Sequence, residues 1–358
     1  MKINMVELNA EIEAGNVNKQ VHPTLPLGIY KYSQQCVFSQ HWNETTLRCR
    51  GVVLDDSGEI VINGFPKFFN HNQAEAQIEF AKRRADGMGY RITEKLDGSL
   101  IQVAWYKGTL VIASSGSFTS PQALKAAEII GANAKLHELF QNGKSYLFEL
   151  IYPENRIVLN YGTLVSLTLL AIRDTETGEE EALYVPVGVD KVNTLSMTIE
   201  QALADLSRAE FINKEGYIVK FTDGYRVKLK YDEYCRLHKI VSGVNERFVW
   251  EALRDGQDLE TSLAGIPDEL FDFVKDTIKK LKLEYHALET EAQFIYLAAL
   301  KDFPDRKSQA AWIIANHKDL SALVFSMLDK KDYSKKIWNQ IEPQTITRFG
   351  FGQFPDEA

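Results

Sequence analysis

Cysteine is scarce: Cys36, Cys49 and Cys235 are the only three in 358 residues, and they lie far apart. They form neither a disulfide framework nor a zinc-ligand pattern, so a reducing, cytoplasmic setting is expected. The seven histidines show no metal-ligand spacing either. No apolar run approaches the roughly 20 residues that a membrane-spanning helix needs. The first residues, MKINMVELNA, lack the charged head, apolar middle and small-residue cleavage site of a secretion signal. Positive charge is in deficit, 41 Lys and Arg against 49 Asp and Glu, for a net charge of −8. That balance excludes a uniformly basic surface that coats nucleic acid. It leaves room for a local basic patch that holds phosphate. Internal repeats, low-complexity tracts and Gly/Ser linkers are missing as well.

What remains is a chain of ordinary charge content and ample apolar residues, long enough for two domains. The first two thirds read mainly as strands. Gly51 to Asn63 carries two apolar runs about Ser57-Gly58, a hairpin pattern. Tyr90 to Ser115 gives three short strands, broken at Asp97-Gly98 and Lys107-Gly108. Further strands are expected at Tyr146–Ile151, Ser166–Arg173 and Leu183–Val187, and a hairpin at Tyr217–Tyr231 closed by Asp223-Gly224. Two helices punctuate them. One starts at Ser120-Pro121 and runs to about Gln141; the other starts at Thr198, with Gln201 completing a capping box. After about Gly243 the pattern turns helical, with Leu270, Phe271, Val274, Ile278, Leu281, Tyr285 and Leu288 at three- and four-residue spacing. Asp305–His317 and Leu320–Lys330 read as further helices. The expectation is an α+β fold: an antiparallel-sheet domain over residues 1–243, then an all-helical domain over 244–358.

The sharpest chemical feature is Thr93-Glu94-Lys95-Leu96-Asp97-Gly98-Ser99. A strand reaches Lys95, and period-2 alternation would place Lys95 and Asp97 on one face. A lysine amine becomes a nucleophile once desolvation or neighbouring cations strip its proton. Phe148-Glu149-Leu150 follows, a carboxylate between apolar neighbours. Then come Glu215-Gly216-Tyr217-Ile218 and Lys228-Leu229-Lys230. Lys228 and Lys230 share a strand face, and two such lysines repel unless an anion sits between them. Each piece alone has a bland explanation: a turn-side lysine, an edge glutamate, gatekeeper lysines on an edge strand.

Taken in order, K-x-D-G, the apolar-flanked glutamate, E-G and K-x-K resemble the covalent nucleotidyltransferase superfamily of polynucleotide ligases and messenger-RNA capping enzymes. Arg50-Gly51, Pro66-Lys67-Phe68-Phe69-Asn70 and Phe148-Glu149-Leu150-Ile151-Tyr152-Pro153-Glu154-Asn155-Arg156-Ile157-Val158-Leu159 are similar to segments of phage RNA ligases that repair cleaved tRNA anticodon loops. The resemblance covers roughly residues 45 to 240. It implies an ATP-dependent RNA ligase in which Lys95 takes up AMP, with Lys228 and Lys230 assisting on the phosphates. It implies that Arg50, Lys67, Phe69, Glu94, Asp97, Gly98, Glu149, Glu215, Lys228 and Lys230 surround ATP. Glu215 and Glu149 are then expected to serve the metal, Mg²⁺ or Mn²⁺. The expected partners are RNA ends, single-stranded or at tRNA anticodon-loop breaks, without a membrane.

One departure stands out. Relatives carry a basic residue before a glycine after the nucleophile segment, and Ser115 takes that place here. A hydroxyl keeps the hydrogen bond and loses the charge. The alternatives are a DNA ligase, a capping-type guanylyltransferase, or a non-catalytic nucleotide-binding protein. The first two continue after K-x-K into a small β-barrel, whereas helices follow here. Residues 244–358 hold 15 Lys and Arg against 20 Asp and Glu. Their lysines nonetheless cluster at Lys279, Lys280 and Lys282, and at Lys330, Lys331, Lys335 and Lys336. Trp105, Trp250, Trp312 and Trp338 are expected in the cores or at a domain interface, not as base-stacking platforms.

Overall fold

Short runs rich in β-branched and aromatic residues, with burial alternating along them, build three four-stranded antiparallel sheets. The computed structural model describes residues 3–207, 213–257, 259 and 268–343. The first sheet joins β1 (Val17–Val21), β2 (Leu27–Tyr32), β3 (Arg50–Asp55) and β4 (Ile60–Ile62) in that order. The second has the order β10 (Thr194–Leu195), β5 (Tyr90–Lys95), β11 (Gly216–Phe221), β12 (Arg226–Lys230). The third has the order β7 (Thr109–Ser114), β6 (Ser99–Tyr106), β8 (Lys144–Ile151), β9 (Ser166–Asp174).

The third sheet shows how alternation divides the labour of its two faces. Ile101, Val103, Tyr146, Phe148 and Leu150 pack against Ala126, Ile130, Leu136 and Leu139 of the helices Pro121–Ala132 and Ala134–Leu139. Residues of opposite parity, such as Ala104, join Leu27, Ile29, Val53 and Ile62 of the first sheet in a separate cluster. Leu147 and Ala171 meet Phe65, with Phe68, Leu100 and Leu170 beside them. Burying each such large side chain stabilises the fold by about 1.5–3 kcal/mol.

The expected hairpins at 51–63 and 217–231 form, as β3–β4 and β11–β12. The strands at Tyr90–Ser115 form as well, but the break at Asp97-Gly98 is not a hairpin turn. β5 pairs with β10 and β11, while β6 pairs with β7 and β8. Leu96-Asp97-Gly98 therefore carries the chain from one sheet to another. No strand forms at Leu183–Val187. Pro186 interrupts that run, and Tyr184 and Val187 are exposed while Leu183 and Val185 only border the core. The helix expected from Ser120 to Gln141 is two helices, because Asn133 leaves helical geometry and caps the second through its side chain. Ser120 and Thr198 cap as expected, the latter with its Gln201 box. Additional helices at Met5–Glu13, Gln34–Phe38, Glu44–Arg48 and Ala74–Ala85 accompany the sheets.

The chain divides into two compact units, one ending at Cys235 and one beginning at Arg236, so the junction lies inside the helix Asp232–Gly243. The second unit is helical. A 35-residue helix, Asp268–Asp302, runs beside the helices Arg306–Asn316, Ser321–Leu328 and Ser334–Gln340. Ala292, Ile295, Ala299, Ile313, Leu323, Val324 and Ile337 form its core. Trp250 is buried there and its indole N–H donates to the Trp338 carbonyl at 2.8 Å. No described helix is long and apolar enough to cross a membrane.

Candidate nucleotide-binding site

The second sheet presents one face as three rows across β5, β11 and β12. Cross-strand pairing places Lys95, Gly216 and Lys230 in the first row. Thr93, Ile218 and Lys228 make the second, and Arg91, Lys220 and Arg226 the third. The face is cationic because apolar residues alternate to the other side: Val227 and Leu229 are fully buried between Arg226, Lys228 and Lys230. A cavity of about 710 Å³, including the part open to solvent, lies over these rows. Its other walls are Phe65, Phe68, Leu100, Leu170 and Val192, with Arg50, Glu94 and Glu149 also on the lining.

The first row contains the chemistry. Glu215 is 1% exposed, and its two carboxylate oxygens face two ammonium groups: Lys95 Nζ at 2.8 Å and Lys230 Nζ at 2.9 Å. Two cations on one buried carboxylate leave a local surplus of one positive charge, suited to a phosphate. The glycine between them keeps the row open. A Cβ on Gly216 would lie 1.9 Å from the Leu229 carbonyl oxygen, and its φ of +151° disfavours any side chain.

Beyond Lys95 the strand ends, so alternation does not govern Asp97. Its carboxylate turns inward and accepts from the amides of Val158 and Leu159 at 3.0 and 2.9 Å, and from the Tyr234 hydroxyl at 2.7 Å. Burial, reinforced by the charge of Glu215, pushes the Asp97 carboxyl up to about 6. The Asp97 amide donates to the Tyr161 hydroxyl at 3.0 Å. The Gly98 amide donates to Glu149 Oε1 at 3.0 Å, and a Cβ on Gly98 would meet the Leu150 carbonyl oxygen at 2.4 Å. The K-x-D-G segment is thus fastened on both sides of its crossover, which fixes the backbone that carries Lys95.

The structure brings Arg50, Glu94, Lys95, Glu149 and Lys228 onto one cavity, with Asp97, Gly98, Glu215 and Lys230 immediately behind or beside it. Lys67 and Phe69 are not on the lining of that cavity. Lys67 Nζ donates to the Tyr32 hydroxyl at 3.3 Å and lies 4.9, 5.2 and 5.6 Å from the ring centres of Tyr32, Trp42 and Phe69. Phe68 lines the cavity, with the Arg50 guanidinium 5.3 Å and Lys228 Nζ 5.2 Å from its ring centre. The Lys67–Asn70 segment still serves the site through its backbone. The Lys228 amide donates to the Phe69 carbonyl and the Lys228 carbonyl accepts from the His71 amide, both at 3.0 Å, so the edge of β12 is covered. Ser115 follows β7 and is not on the cavity lining.

Sequence reasoning missed Tyr234, Tyr161, Arg91, Lys220, Arg226 and Glu180. Arg91 and Arg226 were within reach: each has the same parity as a singled-out lysine on its own strand. Glu180 gives no local signal, since it comes from the stretch after β9. Among the described residues no group of three or more His, Cys, Asp or Glu side chains converges as a metal cage. The donor set fits a hard divalent ion held by one or two carboxylates, with water and phosphate oxygens completing its shell.

Residues 48–234 match the protein family described as RNA ligase. Over 204 residues the chain is 31% identical to a candidate RNA ligase of Thermovibrio ammonificans, covering 53% of this chain and 52% of that protein. Over 153 residues it is 28% identical to a candidate bifunctional polynucleotide kinase/RNA ligase of Autographa californica nuclear polyhedrosis virus, covering 37% of this chain and 22% of that protein. The chain therefore spans about half, or less, of the length of these curated relatives. Among solved structures it is similar to the Naegleria gruberi RNA ligase with PPi, at 20% identity and a TM-score of 0.34 over 43% of this chain and 52% of that one. A lysine mutant of the same ligase with AMP and Mn gives 20% identity and a TM-score of 0.39 over 50% and 58%.

Proposed function

The chain belongs to the RNA ligase family, and on that premise we propose that it joins 5′-phosphate and 3′-hydroxyl RNA ends through AMP carried on Lys95. The observation that carries the reading is the first row of the sheet, where Lys95, Glu215 and Lys230 meet at 2.8 and 2.9 Å beside a cavity with an apolar slot. Ile218, Leu100, Leu170 and Phe68 on its lining suit a planar base. The surplus positive charge around Lys95, Lys228 and Lys230 suits the phosphates.

In the first step Lys95 Nζ attacks the α-phosphorus of ATP and pyrophosphate leaves. The attacking amine must be neutral, and Glu215 Oε2 stands at hydrogen-bond distance from it to hold the departing proton. Lys230 and Lys228 hold the phosphate oxygens as charge shifts toward the leaving group. A divalent ion, Mg²⁺ or Mn²⁺, would be held by Glu215 and Glu149 and would screen the phosphate charge. AMP then passes to the 5′-phosphate of an RNA end, and the 3′-hydroxyl of a second end displaces it. Fixed positioning by the buried Asp97 and Glu149 contacts lowers the entropic part of each barrier. The substrates expected from this reading are single-stranded RNA ends or breaks in tRNA anticodon loops.

Incubation with α-labelled ATP and a divalent metal tests the reading. The protein should become labelled, and release pyrophosphate in equal amount. A protein that binds ATP without becoming labelled would be a nucleotide-binding module instead.

A further inference from the structure

The end of the cavity away from Lys95 is as cationic as the end that holds it. Arg91 precedes Lys95 by four residues on β5, which separates the first and third rows by about 13 Å at the rise of a strand. Arg91 stands beside Lys220, and Lys220 beside Arg226; all three line the cavity. Glu180 serves two of them, with Lys220 Nζ at 2.7 Å and Arg226 on the same oxygen. Burial alone would raise the Glu180 carboxyl, but Arg226 and Lys220 outweigh it and hold it down at about 2. Arg91 differs from its neighbours: its Nε is buried and has no hydrogen-bond partner among the described residues. Such a donor destabilises the fold unless something accepts from it.

Between the two charged rows stands Ile218, and Leu100 and Leu170 add apolar surface to the same cavity. With the phosphate of AMP on Lys95, the ribose follows and the base enters this cavity. The base's outer edge then approaches the third row. Adenine carries in-plane acceptors there, at ring nitrogens N1 and N7. We propose that Arg91 is a base-recognition residue, whose unpaired Nε–H donates to a ring nitrogen of the bound adenine. The inference rests on the reading of Lys95 as the AMP-bearing residue. It assigns Glu180 a positioning role: by occupying Lys220 and Arg226 it leaves Arg91 as the donor that meets the base.

The test measures the rate of Lys95 adduct formation against nucleotide concentration with ATP, 1-deaza-ATP and 7-deaza-ATP. The wild-type chain should bind one of the two analogues roughly ten- to a hundredfold more weakly than ATP, the range for one hydrogen bond from a charged donor. Arg91→Met should bind ATP more weakly by a similar factor and should no longer discriminate against that analogue. Its maximal rate should fall far less than its affinity. Arg91→Lys keeps charge and bulk and moves the donor one bond further out, so it should restore only part of the discrimination; full affinity for ATP in Arg91→Met would mean that the side chain does not meet the base and overturn the proposal. Equal affinity of the wild-type chain for all three nucleotides would overturn it without any variant. Absence of adduct with every nucleotide would instead remove the ligase reading, and this inference with it.

Discussion

Lys95 is held where a strand ends and a crossover begins, and this sets what its removal should do. Lys95→Ala should abolish self-labelling by ATP. It should still seal RNA supplied with AMP already on its 5′-phosphate, at reduced rate, because that step needs no lysine nucleophile. Mass mapping of the labelled wild-type chain checks the assignment, and AMP on any other lysine would sink it. Asp97 leads to a second expectation. Its folded carboxyl titrates near 6, against 3.8 ordinarily, so the native state takes up a proton before the unfolded chain does. The stability tied to this group is complete below about pH 4 and is lost as pH rises through about 6. Asp97→Asn has no such titration. Between pH 4 and pH 8 the wild-type chain should lose on the order of 2–3 kcal/mol relative to the variant. Urea unfolding of both proteins across that range checks it, and a difference independent of pH would show that Asp97 titrates normally.

At the scale of elements, β11 and β12 build the site by pairing Gly216 with Lys230 and Ile218 with Lys228. Gly216→Ala should destabilise the chain by roughly 2–4 kcal/mol, from overpacking on the Leu229 carbonyl together with backbone strain, as read by thermal unfolding. A loss within 0.5 kcal/mol, the range of an ordinary surface change, would mean that the hairpin relaxes easily. Lys228→Ala and Lys230→Ala should both slow adduct formation; Lys228→Ala should leave the melting temperature nearly unchanged, whereas Lys230→Ala should lower it by stripping one of the two cations from the buried Glu215. Wild-type rates in both would restore the view of gatekeeper lysines on an edge. Period-2 alternation and the Asp223-Gly224 turn make this hairpin legible in the sequence, and the caps at Ser120 and Thr198 do the same for their helices. Local chemistry cannot show that β5 and β6 part into different sheets, because the choice of partner depends on residues more than a hundred positions away. The same limit hides Glu180, whose meaning comes only from Arg226 and Lys220. Leu183–Val187 has the apolar content of a strand, but Pro186 removes a backbone donor from it, and the proline decides the outcome.

At the scale of the whole molecule, the residues proposed for chemistry all belong to the first unit, up to Tyr234, whose hydroxyl holds Asp97. The second unit is described by its own core and its own surface. Of its clustered lysines, Lys280 pairs with Glu246 at 2.6 Å, and Lys336 donates to the Ala322 carbonyl at 2.9 Å and the Ser326 hydroxyl at 2.7 Å. These tie helices together. Lys279, Lys282, Lys330 and Lys335 are exposed, where phosphate can reach them. Contacts of that kind position a nucleic acid without reading its sequence. A chain ending at Gly243 keeps Tyr234 and every other residue proposed for chemistry. It should therefore still form the Lys95 adduct if a solubility check shows that it folds. It should lose more sealing activity on a nicked, folded RNA than on a short single-stranded oligonucleotide, because the folded substrate offers more phosphates to a second binding surface. The intact chain with Lys279, Lys282, Lys330 and Lys335 all changed to Gln should show the same bias, which separates lost contacts from lost stability. Equal losses on the two RNAs, in both proteins, would leave the helical unit as a support for the first and not a selector of substrate.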